Sequence, residues 1–179
     1  ARAKVRDRFS SEASPRGLDG MAYMDRAQYY DNNRELRLDA DKDAILWMLN
    51  NVQGSPVILE AQIPEYRWGS RFSVYTGLPA VQGWNWHERQ QRSIVPSIAV
   101  ERRVSDVAEL YNTVDLDRAR KLLDRYNVKY IIVGELERAY YAPDGLAKFE
   151  SFLQQGLLTR SYQNDAVTIY EVVGWQPGP

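Results

Sequence analysis

Cysteine is absent from this chain and histidine occurs once, at His87. The first absence excludes disulfides, thiolate metal centres and a cysteine nucleophile, and together they leave carboxylates as the only plentiful metal donors. Charge of one sign is also lacking. Lys+Arg 23 against Asp+Glu 24 leaves a net charge of -1, without the basic field that draws proteins to nucleic acid. No apolar run approaches the roughly 20 residues of a membrane-spanning helix, and no basic-then-apolar leader opens the sequence. GSRFSVYTG and GLPAVQG have the wrong spacing for Walker or dinucleotide fingerprints, and G-x-S-x-G does not occur. The Asp-rich run of residues 38–44 is read as helix capping and a favourable dipole interaction rather than as a metal cluster. No metal, cofactor or nucleic acid is therefore expected.

What the chain does have suits one globular domain: 179 residues, 44% hydrophobic and 26% charged. Residues 1–17, with Pro15 and Gly17, read as an extended arm or linker, residues 18–173 as a single α/β domain, and residues 174–179 as a tail. The opening at Ala1 with a basic, Ser-rich lead reads as the interior of a longer protein. LDGMAYM, residues 18–24, reads as a docking turn. Ile45, Met48, Leu49 and Val52 recur at helical spacing behind Asp39 or Asp41 as caps, and VILEA, residues 57–61, predicts a buried strand. Val104, Val107, Ala108 and Tyr111 predict a second helix. Leu116, Ala119, Leu123 and Tyr126 predict a third, capped by Asp115. VKYIIVG, residues 128–134, is the clearest buried strand, and Pro143-Asp144-Gly145 opens another helix with Leu146, Phe149, Phe152 and Leu153 buried. Two strands around a two-residue Asn164-Asp165 turn close the domain. The order predicts an α/β fold with a mainly parallel or mixed central sheet flanked by helices and a C-terminal antiparallel hairpin.

Chemistry concentrates in residues 70–92, SRFSVYTGLPAVQGWNWHERQQR, read as a loop. Trp84 and Tyr75 offer ring faces to sugar C–H surfaces, while Arg71, Arg89 and Arg92 offer guanidinium forks to carboxylate or phosphate. His87 and Glu88 are the obvious acid–base pair, but neighbouring residues point apart, and no catalytic residue is assigned. Glu60, at the carboxyl end of VILEA, stands where ligands gather in α/β folds. The candidate ligand-binding set is Glu60, Arg71, Tyr75, Trp84, His87, Glu88, Arg89 and Arg92. Glu135, Glu137 and Arg138 after the strongest strand read as surface ion pairs bordering the same crevice.

LDGMAYM, DADKDAILWMLNNVQGSPVILEA, RFSVYTGLPAVQGWNWHERQQR and YNVKYIIVGELER together resemble the C-terminal region of the YYY family of polytopic membrane proteins, over roughly residues 18–173. A wider similarity reaches the extracytoplasmic domains of GT-C type glycosyltransferases. Leu46-Trp47 and residues 126–133 occupy the places of a helix Trp-Leu-like pair and a Tyr-x-Val-x-Tyr-Ile-Ile-Val strand; the Trp-Trp-Asp motif of oligosaccharyltransferases is missing. The resemblance implies a domain at the extracytoplasmic face of the membrane. Its implied partners are the membrane-embedded part of its own chain and a glycan or lipid-linked sugar. It also implies that catalytic carboxylates, if the parent is an enzyme, come from loops between membrane helices. The alternative is a purely structural module that docks on that membrane part. Exposure of Trp84 and Trp86 beside basic residues would favour docking or ligand binding; their burial would favour packing.

Overall fold

The computed structural model describes residues 17–178, apart from 93 and 95; the arm expected over residues 1–17 lies almost wholly outside the described residues. A 3-10 turn at Ala22–Asp25 buries Met24 and leads into a short hairpin, β1 (Tyr29–Asp31) and β2 (Arg34–Leu36). This hairpin was not expected from the polar text of residues 25–38. Its turn is carried by Asn32 and Asn33, both at positive φ, where asparagine is among the least strained of the non-glycine residues. Helix α1 (Leu38–Asn51) then precedes β3 (Val57–Leu59), and two short helices follow, α2 (Arg71–Thr76) and α3 (Asn85–Gln91). The stretch read as a loop thus carries two helices. Helices α4 (Ile98–Asn112) and α5 (Leu116–Arg125), strand β4 (Val128–Val133), helices α6 (Glu135–Tyr140) and α7 (Pro143–Gln154), and strands β5 (Leu158–Gln163) and β6 (Thr168–Val172) complete the order.

Four strands form a mixed sheet in the order β3-β4-β6-β5. The β3–β4 pair is parallel and the β4–β6 and β6–β5 pairs are antiparallel. Alternation along the strands divides the core into two layers. Leu59, Ile131, Val133 and Tyr170 belong to one cluster with Val107, Leu110 and Tyr111 of α4, Leu122 of α5 and Phe149 of α7. Ile58, Tyr130, Ile132 and Ile169 belong to the other, with Ala44, Ile45 and Met48 of α1 and Phe72 of α2. Both faces of β4 are covered, which is why its sequence reads as a continuous apolar run.

Local signals account for several boundaries. Asp115 caps α5 by accepting from the Arg118 amide at 3.0 Å, and Asn127 takes positive φ (47°) just past the C-cap Tyr126. Two expectations need correction. Leu49 is exposed, because the buried stripe of α1 runs through Ala44, Ile45 and Met48 instead. The last hairpin turns over residues 164–167 rather than two residues: the Asn164 amide donates to the Val167 carbonyl, and its side-chain Oδ1 accepts from the Ala166 and Val167 amides.

Helices α4 and α7 meet unusually closely. A Cβ on Gly145 would lie 2.3 Å from the Tyr111 carbonyl oxygen and 2.6 Å from Asn112 Cα. Beside it, buried Lys148 donates from Nζ to the Tyr111 carbonyl at 3.1 Å and to the Gly145 carbonyl at 2.5 Å. Gly145→Ala is expected to destabilise the fold by about 2–3 kcal/mol through forced backbone separation, measured as a lower urea midpoint. Burial pushes the Lys148 ammonium down to about 7. Its folded pKa is thus below the unfolded value, so the folded chain binds fewer protons between about pH 7 and 10.5, and stability rises with pH across that window. The slope is at most about 1.4 kcal/mol per pH unit, and urea denaturation of Lys148→Met at pH 7 and 9 is expected to lack it.

Candidate functional site

Residues of the expected ligand set separate into a buried hub and a surface shelf. At the hub, Arg71 opens α2 and is fully buried. Its Nε donates to Asp41 Oδ2 at 2.6 Å, and its two terminal nitrogens form a fork on Glu137 at 3.0 and 2.9 Å. Trp68 Nε1 shares Asp41 Oδ2 at 2.6 Å. The remaining Glu137 valences are taken by the backbone amides of Ala61 (3.0 Å) and Gly134 (2.8 Å), which follow β3 and β4. Gly134 allows this approach, since a Cβ there would stand 2.9 Å from Arg71 Nη2. Glu60 accepts from the amides of Phe72 (2.8 Å) and Ser73 (3.0 Å), supplying the α2 cap that Ser70 does not make.

One guanidinium thus faces three buried carboxylates. Burial pulls the Arg71 cation down, but Asp41 and Glu137 outweigh it and hold its pKa well above the usual value. Burial likewise lifts Glu137, and the Arg71 charge and fork reverse it to a net lowering. For Asp41 and Glu60 burial prevails and their pKa values rise. Glu60 and Arg71 are therefore internal supports, closed to a ligand in this fold. Glu137 and Asp41 are corrections of another kind. Glu137 is a buried ion-pair partner rather than a surface one, and Asp41 lies inside α1 as an Arg71 ligand rather than capping the helix.

The shelf lies where residues 65–67 meet α3. Trp84 and His87 stand edge to face with ring centroids 5.3 Å apart, and Tyr66 closes the triangle at 6.2 Å from Trp84 and 5.7 Å from His87. The Tyr66 hydroxyl and His87 Nε2 share a hydrogen bond of 3.2 Å. Tyr66 sits at φ 62°, a left-handed backbone that costs a bulky residue roughly 1 kcal/mol or more. Two carboxylates pin the short helix: Glu65 accepts from the Trp86 amide at 3.1 Å and Glu88 from the Gly83 amide at 3.0 Å. Trp84 is 36% and Trp86 52% exposed, with Arg89 and Arg92 alongside on the same helix and its cap. Arg89 lies 4.0 Å from Glu101. Arg89 Nε and Gln82 Oε1 are buried atoms without a hydrogen-bond partner among the described residues.

Of the eight expected residues, Trp84, His87, Glu88, Arg89 and Arg92 come together on α3. Tyr75 turns inward, its hydroxyl 2.8 Å from that of Tyr23 and its ring 6.2 Å from Trp68. Tyr66 was missed. The only sequence signal for Tyr66 was a tyrosine between Glu65 and Arg67, which gives no hint of the turn that aims it. A separate open groove of about 510 Å³, lined in part by Arg34, Glu135, Arg138 and Asp165, lies beyond the carboxyl end of β4. Its rim is already cross-linked, because Glu135 accepts from the Arg37 amide, Arg37 pairs with Asp165, and Arg138 donates to the Ala166 carbonyl.

The hub and shelf should respond differently to truncation. Arg71→Ala leaves two buried carboxylates without their cation and is expected to cost about 3–5 kcal/mol, whereas Trp84→Ala on the half-open shelf should cost less than about 1 kcal/mol; paired urea titrations check both.

No family model matches this sequence, and no curated protein matches it. Its structure is similar to the crystal structure of the C-terminal globular domain of an oligosaccharyltransferase from Archaeoglobus fulgidus, with a TM-score of 0.45 and 15% identity over 73% of this chain and 95% of that chain.

Proposed function

We propose that this chain is an extracytoplasmic domain of a polytopic, GT-C-like membrane protein of the YYY type, and that its aromatic shelf recognises a glycan or the sugar of a lipid-linked donor. The observation that carries the reading is the exposure of Trp84 within the Tyr66–Trp84–His87 triangle, beside arginines. Trp84 packs most of its surface and leaves 36% of it open. An indole held by two neighbouring rings presents a fixed apolar face, which suits the C–H face of a pyranose at little entropic cost. Arg92 adds a cation for the phosphate of a lipid-linked sugar. His87, already bonded to Tyr66, acts in recognition rather than catalysis. Glu88 holds the Gly83 backbone, and Glu60, Arg71 and Tyr75 support the shelf from within. An open shelf covers one face of a ligand, so affinity is expected in the high micromolar to millimolar range.

Titration with soluble oligosaccharides and a short-chain polyprenyl-phosphate sugar, followed by tryptophan fluorescence and backbone NMR, is expected to move resonances of residues 65–67 and 82–92. Trp84→Ala should weaken binding at least tenfold with an unchanged fold. The absence of any shift in these segments at millimolar ligand would overturn the reading.

A further inference from the structure

Beside the shelf, the chain exposes a second set of side chains, of which only Arg92 is shared with sugar recognition. Adjacent helix positions stand about 100° apart, so Trp86 points away from His87 and the aromatic triangle. It is 52% exposed, and Ile94 and Ile98, on the way into and at the start of α4, are 97% and 68% exposed. These are among the most exposed large apolar side chains of the described residues, and they fall within one short stretch. Basic residues interleave with them. Residues 84–103 hold four arginines against two glutamates, a surplus of two positive charges on a chain whose total is -1. Arg92 and Arg102 have no carboxylate partner among the described residues, while Glu101 is occupied by the Ser97 hydroxyl and lies 4.0 Å from Arg89.

We propose that the face bearing Trp86, Ile94 and Ile98, with Arg92 and Arg102, rests on an anionic bilayer surface. The three apolar side chains enter the headgroup region and the two guanidinium groups meet lipid phosphate. Charge complementarity supports this occupant: arginines interleaved with exposed apolar side chains match a negatively charged leaflet, and their attraction falls with salt. The mixture of indole, branched aliphatic and arginine side chains is that of the membrane interface, where amphipathic rings sit at headgroup depth and arginine stems lie along apolar surface. Contact here would hold the adjoining shelf close to the membrane surface, within reach of a sugar carried on a lipid.

The test uses the 179-residue chain with sugar-free vesicles, so its outcome is independent of glycan titration in solution. Flotation with vesicles of phosphatidylcholine and phosphatidylglycerol (7:3) is expected to recover the chain at 50 mM salt, with a blue-shifted tryptophan emission quenched by brominated lipid. Recovery should drop at least threefold at 500 mM salt and on pure phosphatidylcholine. The triple variant Trp86→Ser, Ile94→Ser, Ile98→Ser is expected to lose at least tenfold in partitioning with unchanged circular dichroism, and Arg92→Gln with Arg102→Gln to flatten the salt dependence. Equal recovery on neutral and anionic vesicles, full retention by the triple variant, or no recovery at all would overturn the proposal. Failure on every vesicle together with cross-linking of Trp86 to the membrane-embedded part of a longer parent chain would assign the face to a protein partner instead.

Discussion

The fork between Arg71 and Glu137 is the constraint on which the rest of the structure depends. A guanidinium with no exposed surface is tolerated only when every direction of its charge is met, and Asp41 and Glu137 meet it from helices far apart in sequence. Satisfying that cation brings the start of α1, the start of α2 and the first turn of α6 to one point. The two Glu137 oxygens also take the amides just beyond β3 and β4. The carboxyl ends of the parallel strands are thereby closed by an internal salt bridge, at the place where many α/β proteins hold a ligand. The sheet end is a foundation here, and the exposed aromatic side chains lie outward of it.

The connection between the two runs through residues 60–70. Glu60 caps α2, Trp68 is held by Asp41 and Tyr29, and the chain between them carries Glu65 and Tyr66 to α3. Each end of the segment is anchored in the buried hub, so the left-handed Tyr66 backbone is over-determined by its surroundings. The shelf is thus exposed in its side chains and fixed in its supports. Rigid rings at a surface bind at lower conformational cost than mobile ones, which is why a few aromatic side chains can serve as a recognition face without a deep pocket.

Much of the secondary structure is legible in the sequence. Helical stripes in α4, α5 and α7, the apolar run of strand β4 and the Asp115 cap all rest on patterns within a few residues. Local pattern carries those. The hairpin β1–β2 was hidden because its strands are three residues each and half polar, too short for a period to emerge. Leu49 was misplaced by a similar limit: two apolar positions on a helix satisfy one stripe equally, and only the packing partner decides which is covered. Residues 70–92 stood out by composition, yet composition did not separate Arg71 from Arg89 and Arg92. All three have the same chemistry; one is buried against Glu137 and the others lie at the surface.

By itself, the sequence determined what is local or additive: the absence of thiol chemistry, the balanced charge, the α/β order, the caps and the concentration of aromatics and arginines around Trp84. Tertiary structure alone decided the roles within that concentration. Asp41, Arg71 and Glu137 are separated by thirty and sixty-six positions, and nothing short of the folded sheet brings them together or leaves Trp84 and Trp86 outside. The physical reason is desolvation. A charged or aromatic side chain declares its chemistry in the sequence, but whether it becomes an internal support or an outward face depends on how much water the fold removes from it and which partner replaces that water.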